Sequence, residues 1–373
     1  MPSLAQNIPV NSPAESLSVK SPQAFWTLST TASEESVGHG LPVLSLGRAD
    51  WPAYQSDAVG NPGAWHSIRA ELGAISPGGW RMAGLVRYEA SLDASPDAVA
   101  LAAQEAGQTR PAAARHFAVG LHSQGWQGHG IKLGTPWFKL GSAGLWELQA
   151  DAQLLRLRQL KFFDLSGVAN YQGASTGGYD FNLQSERANA GITSPFLAPS
   201  GRTGLGASLS VALQGEPAPG WRLQMRADDL LSHLQVPDLA TDSAVLNSQV
   251  TSRAPDGSLD YGPVIKGKKE LQRVTRKVGA RWQAKVSWKP LNASADVATL
   301  RLDRKARIDQ VWLGWESGDM PLARFQWRFE LEPLRRAIGA GVMWGGWNAA
   351  LATDGKGTGS QLRALRLGYQ VTF

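Results

Sequence analysis

The chain has 373 residues, a formal net charge of +6 and a pI near 9.6, and it contains 41 Gly, 15 Trp and no Cys. Without cysteine there is no disulfide framework, thiolate metal site or cysteine nucleophile. No stretch reaches the roughly 18 consecutive apolar residues a membrane helix needs, and a mean hydropathy of −0.23 beside so many tryptophans suits a wall that shows only alternate side chains to lipid.

The first residues, Met-Pro-Ser-Leu-Ala-Gln-Asn, have neither a basic n-region nor an apolar h-region, so they read as the start of a mature exported chain rather than as a signal peptide. Residues 1–60 are rich in Ser, Pro, Ala and Asn, with short apolar patches at 24–28 and 41–46. They read as an N-terminal extension: a periplasmic segment, a plug entering a lumen, or two further strands. Residues 61–373 read as one barrel. Its first clear hairpin has Ile68, Ala70, Leu72 and Ala74 alternating with Arg69, Glu71 and Gly73, a turn at Ser76-Pro77-Gly78-Gly79, and Trp80, Met82, Gly84, Val86 and Tyr88 alternating with Arg81, Arg87 and Glu89. Ser95 as N-cap and Pro96 at the first helical position then start a short Ala-rich helix reaching about Ala106.

Strands follow from Arg115. Phe117, Val119 and Leu121 share a face, and 131–140 is a second strand. Trp146, Leu148, Ala150, Ala152 and Leu154 then face away from Glu147, Gln149, Asp151 and Gln153. The phase slips at 154–157, which predicts a bulge or a strand end. Residues 162–171 and 178–186 make a weaker pair, and a clear hairpin joins 205–213 to 221–227, the latter with Arg222, Gln224, Arg226 and Asp228 on its polar face. The stretch 230–257 reads as a long polar connection, on the outer side of the membrane and free to fold into the mouth. In the last third Val278, Ala280, Trp282, Ala284, Val286 and Trp288 oppose Arg281, Gln283 and Lys285, and Phe325, Trp327, Phe329 and Leu331 oppose Arg324, Arg328 and Glu330.

The chain closes on Leu365, Leu367, Tyr369, Val371 and Phe373 facing one way and Arg366, Gly368, Gln370 and Thr372 the other. An alternating strand that ends on Phe373, with Tyr369 four residues earlier, resembles the C-terminal strand of Gram-negative outer-membrane β-barrel proteins. That resemblance implies an outer-membrane location, a bilayer and lipopolysaccharide environment, and an assembly-machinery signal at Tyr369 and Phe373. Counting strands gives an all-β, transmembrane antiparallel barrel of about 16 strands (14 to 18), an even number as such barrels require. This count sets the capped helix on the periplasmic side, where connections are normally short.

An arginine on the lipid face near the midplane costs about 2–4 kcal/mol, so the charged alternates must face the lumen. That assigns Arg69, Arg81, Arg87, Arg222, Arg226, Arg281, Lys285, Arg324, Arg328 and Arg366 to the inner wall, against Glu71, Glu89, Glu147, Asp151, Asp228 and Glu330. Such a set either attracts an anionic solute such as an acidic saccharide or pairs into ladders that hold the wall together. Arg363, on the outward phase near a strand end, reads as a residue snorkelling toward lipid phosphates. Trp65, Trp80, Trp221, Trp288, Trp315, Trp327, Trp344 and Trp347 read as an interfacial girdle. His122 with Ser123, and His129, are the candidates for a barrel-embedded lipid hydrolase or acyltransferase, but adjacent strand residues face opposite ways. No metal motif, Walker loop or dinucleotide fingerprint is present, so no cofactor and no nucleic-acid partner are expected. The expectation is a non-enzymatic outer-membrane channel with a basic lumen. The alternatives are a docking barrel that grips a periplasmic partner through residues 1–60, and the hydrolase.

Overall fold

The computed structural model describes residues 25–43, 60–106, 111–141, 145–173, 178–195, 197–248, 250–253, 259–261, 265–290, 296–317, 325–355 and 360–373. Among these the first strands are β1 (Thr27–His39), β2 (Gly63–Ile75) and β3 (Arg81–Ala94), followed by the helix α1 (Pro96–Ala106). Next come β4 (Arg115–Gly134), β5 (Phe138–Leu140), β6 (Trp146–Tyr171), β7 (Tyr179–Ala188), β8 (Gly204–Ala218) and β9 (Trp221–Asn247). A small separate pair, β10 (Val250–Arg253) and β11 (Leu259–Tyr261), precedes β12 (Ile265–Arg276) and β13 (Arg281–Trp288). The chain ends with β14 (Asp296–Lys305), β15 (Ile308–Ser317), β16 (Phe325–Glu332), β17 (Ala337–Trp344), β18 (Trp347–Thr353) and β19 (Leu362–Thr372).

The sheet closes on itself, because β1 pairs antiparallel with β2 on one side and with β19 on the other, from Thr27↔Thr372 to Val37↔Leu362. The ring holds 14 strands, β1-β2-β3-β4-β6-β8-β9-β13-β14-β15-β16-β17-β18-β19, with β5, β7 and β12 attached outside it. The expected sixteen is corrected to fourteen by the unusual length of β6 and β9, 26 and 27 residues. Strand β6 pairs with β8 along Trp146–Leu157 and with β7 along Phe162–Tyr171. Likewise β9 pairs with β13 below and β12 above. Two short strands standing end to end thus fill one place in the wall, and the two segments read separately at 146–154 and 162–171 are one strand.

Three further expectations change. The stretch 230–257 is not a loop at its start, since β9 runs unbroken to Asn247. Helix α1 sits at the end of the barrel opposite the one where β1 begins and β19 finishes, so the long connection it makes no longer conflicts with short turns at the other end. Residues 1–60 contain a barrel strand, β1, and the ring therefore begins at Thr27; the rest of that extension lies largely outside the described residues.

We call the end at Thr27 and Thr372 the lower end. The outward face is apolar on nearly every strand: Leu72, Met82, Val86, Ile131, Leu154, Leu205, Leu231, Leu302, Leu313, Val342, Leu351 and Leu367 are all exposed. Exposed Trp80, Trp221, Trp288, Trp315, Trp327, Trp344 and Trp347 ring its lower edge, the girdle expected of a membrane interface. Trp65 does not belong to it; it is 2% exposed and points inward, as do Trp126 and Trp312. Among the described residues no helix is long and apolar enough to cross a membrane.

Candidate functional site: a charged lumen under a hairpin tip

The inward positions of the strands build two regions. Along β1, β2 and β13 to β19 runs a cavity of about 350 Å³ that starts among Ser29, Gln149 and Gln224 near the lower end and rises to Lys305, Trp312 and Leu362. Small residues such as Ser33, Ala350 and Ala364 leave this space open, while charged side chains line the rest of it. Beside it, between β3 and β9, the lumen is filled by a buried ion cluster and by apolar side chains above it.

That cluster depends on an irregularity. Between Leu209 and Val211 on β8 the register with β9 jumps from Leu231 to Ala227, so extra residues bulge from β9. Asp229, in the bulge, takes a φ of 56° and turns its carboxylate inward, where it is wholly buried. Arg87, also wholly buried, donates to Asp229 Oδ1 at 2.8 Å and contacts its Oδ2, and it donates to Glu89 at 2.8 Å. Arg281 reaches the same aspartate at 3.1 Å. Each guanidinium lies over an inward tryptophan, Arg87 over Trp126 at 4.9 Å and Arg281 over Trp65 at 5.7 Å. Beside and above the ion cluster Leu85, Leu155, Leu157, Leu160, Leu234, Val236 and Val274 pack together, all buried.

The top of the open cavity is closed differently. In a ring of fourteen, β14 stands opposite β2, seven places away by either route. Yet the β14–β15 turn touches the strands across from it. Lys305 pairs with Glu35 on β1 and lies 5.4 Å from the Trp65 ring on β2. Arg307 meets Asp93 on β3 at 2.6 Å. Ile308, 3% exposed, packs among Val37, Trp65, Trp312 and Leu362. The tip crosses the mouth and caps the cavity. A second reach comes from the β16–β17 turn, where Arg335 donates to Gly38 O at 2.9 Å and to Asp309 O at 3.1 Å while pairing with Glu332.

The lumen assignment places nine of the ten predicted cations on the inner side of the wall; Arg324 lies outside the described residues. Most sit in pairs. Arg69 pairs with Glu71, Arg81 with Asp151 at 2.7 Å, Arg226 with Asp228 at 2.9 Å, Lys285 with Glu316 at 2.6 Å, and Arg328 with Glu330 at 3.7 Å. Arg222 is at the lower rim against Glu216, and Arg366 lines the open cavity. Of the predicted acids, Glu147 accepts from Gln214 at 2.9 Å. The inner face also holds charges that the alternation did not assign: Glu35, Asp229, Asp303 and Glu316, with Lys132, Arg301 and Lys305. Asp229 was detectable, because in strict alternation the second acid of Asp228-Asp229 would face lipid, which signals a change of phase.

At the closing strand, Tyr369 packs on Trp347 with ring centroids 4.7 Å apart, and the Phe373 N–H donates to Trp26 O at 3.1 Å. Arg363 is outward and exposed, as expected of a snorkelling residue. The hydrolase candidates do not assemble. His122 contacts Asp164, but the Ser123 hydroxyl donates to Phe163 O at 3.4 Å. His129 is on the outward face beside Arg156, opposite it in the register. Among the described residues no cluster of His, Asp and Glu has the make-up of a metal site.

No protein-family model matches the chain, and no curated protein does. Solved structures do match over most of its length. A deltaS2S3 mutant of the monoaromatic hydrocarbon channel TodX shows 9% identity and a TM-score of 0.43, over 94% of this chain and 91% of that one. The Ralstonia pickettii toluene transporter TbuX gives 9% identity and 0.33, over 94% and 90%. The transport unit of the Escherichia coli autotransporter AIDA-I gives 8% and 0.23, over 96% and 93%. The barrel's own geometry carries the outer-membrane reading: a closed antiparallel ring with an apolar exterior, an aromatic edge and a charged interior is the form a strand-built protein takes in that membrane.

Proposed function

We propose that this protein is an outer-membrane channel, held closed in this conformation by the β14–β15 tip. The observation that carries the reading is the cavity of about 350 Å³ inside the ring, capped by a turn reaching over from the opposite wall rather than by the wall itself. A turn held by side-chain contacts can move without breaking the strand pairing of the wall. The finer reading is that the solute carries negative charge. It is supported by the lining of the cavity, where ten basic side chains stand against six acidic ones among the described residues. The pairing described above weakens that field, so any selectivity comes from the excess and not from the full set.

The test is single-channel recording of the refolded protein across a salt gradient. Because the chain has no cysteine, Asp93→Cys with Arg307→Cys can be joined by a short cleavable dithiol linker. Openings that vanish on cross-linking and return on cleavage support the reading; a folded barrel that never conducts, even with Ile308→Ala and Glu35→Gln releasing the tip, overturns it. A reversal potential showing anion preference supports the finer reading, and one showing cation preference removes it.

A further inference from the structure

We propose that the outward face of β6 binds phosphate-bearing lipid headgroups at the upper edge of the membrane. Three cations, Arg156, Arg158 and Lys161, are exposed there in succession. Their common direction is produced by a bulge: Gly128 pairs with Leu157 and Gln127 with Gln159, which leaves Arg158 unpaired and shifts the phase by one. Without that extra residue Lys161 would turn inward and Leu160 and Phe162 would face lipid. With it, Leu157, Leu160 and Phe162 are buried at 0%, 2% and 4% and all three cations point out.

Among the described residues, their register neighbours carry no countercharge. Arg156 lies opposite His129 on β4 and Leu205 on β8, and Lys161 opposite Gly125, over which its stem folds. The cations in the lumen are nearly all paired, but none of these three has an ion pair or hydrogen bond among the described residues. They also stand where the apolar exterior ends. Leu154 and Leu205, 58% and 72% exposed, are the adjacent lipid-facing side chains on β6 and β8. Long cationic side chains at such an edge lay their stems on the apolar band and lift their heads into the headgroup layer. At about 3.3 Å per residue the three heads spread over roughly 17 Å, wide enough for more than one phosphate. Charge complementarity at that depth selects an anionic headgroup.

The inference rests on the membrane placement of the barrel and not on the channel reading. The full-length protein, refolded in zwitterionic detergent, is titrated with a bisphosphorylated glycolipid, and bound copies are counted by native mass spectrometry. The comparisons are the same glycolipid without its phosphates, and inorganic phosphate added as competitor. Wild type is expected to retain the phosphorylated lipid, and Arg156→Gln with Arg158→Gln and Lys161→Gln to lower its affinity by about tenfold, while Arg156→Lys with Arg158→Lys holds it. Equal binding by the triple variant, or equal binding of the dephosphorylated lipid, overturns the proposal; so does displacement by inorganic phosphate at matched concentration, which would mark an ion site and not a lipid site. If the triple variant lacks the heat-modifiable mobility of a folded barrel, Arg158→Gln, at the unpaired bulge position, gives the same reading alone. Conductance is expected to be the same in all of these variants, so the outcome is independent of whether the lumen opens.

Discussion

On the gating proposed above, replacing Ile308 by Ala is expected to open the channel. In the closed conformation Ile308 is the apolar anchor of the tip, 3% exposed among Val37, Trp65, Trp312 and Leu362. Truncating a buried isoleucine costs about 2–5 kcal/mol, and that loss falls on the closed state, because a withdrawn tip has already given up those contacts. Since about 1.4 kcal/mol is a factor of ten, even the lower bound moves the open-to-closed ratio by roughly thirtyfold. The ion pair at the same tip is a weaker restraint. Arg307 and Asp93 have side-chain exposures of 76% and 25%, so the pair contributes about 0–1 kcal/mol, and Arg307→Gln shifts the ratio by less than about fivefold. Single-channel open probability at fixed voltage measures both. Equal open probability in wild type and in a folded Ile308→Ala barrel, or a larger effect from Arg307→Gln than from Ile308→Ala, would refute the idea that apolar burial holds the tip down.

Asp229→Ala leaves Arg87 buried with only part of its countercharge, and is expected to cost about 3–5 kcal/mol, read as a lower denaturant midpoint by intrinsic fluorescence; a change under about 0.5 kcal/mol would show that the cluster is solvated. Arg328→Gln with Arg366→Gln removes two cavity-lining cations, and should move the reversal potential toward cation preference with little change in thermal stability. Gly346→Ala puts a side chain at a φ of 90° with its Cβ 2.4 Å from Gln370 O, and should lower the melting temperature of the folded barrel, whereas Gly78→Ala, with no contact closer than 3.8 Å, should not. Ala306→Gly relieves a φ of 46° at the β14–β15 turn that costs a non-glycine residue about 1–2 kcal/mol, so it should raise stability, by chemical denaturation, without weakening the Lys305–Glu35 pair.

The wall was legible in the sequence because a barrel repeats one rule: the faces of 68–74, 80–88, 221–227 and 365–373 are as alternation assigns them. What alternation cannot express is the height at which strands meet. Nothing local in 204–218 or 179–188 says that β7 and β8 share one place beside β6, since that is fixed by the lengths of their partners. The phase slip was placed at 154–157, while the bulge is at Arg158; the exposed Arg156 and Arg158 continue the outward phase of Leu154, and the break appears only when Leu160 turns in. The interior was harder still. Arg81 and Asp151 are 70 residues apart in sequence, and Lys305 and Glu35 are 270, so the list of lumen cations was readable but their pairing was not. Trp65, a girdle residue by position, is instead the platform under both Arg281 and Lys305.

The seam between β1 and β19 has a consequence for how the molecule forms. Its partners, such as Thr27 and Thr372, whose hydroxyls meet at 3.0 Å, are separated by 345 residues, close to the whole chain. Every other joint in the ring pairs strands closer together in the chain than β1 and β19. Until it closes, the sheet carries two open strand edges, each a template for a neighbouring chain, and the closing step bears the entropy of a loop of those 345 residues. Of all the joints in the ring, this seam carries the highest contact order, and its closure is the costliest in chain entropy.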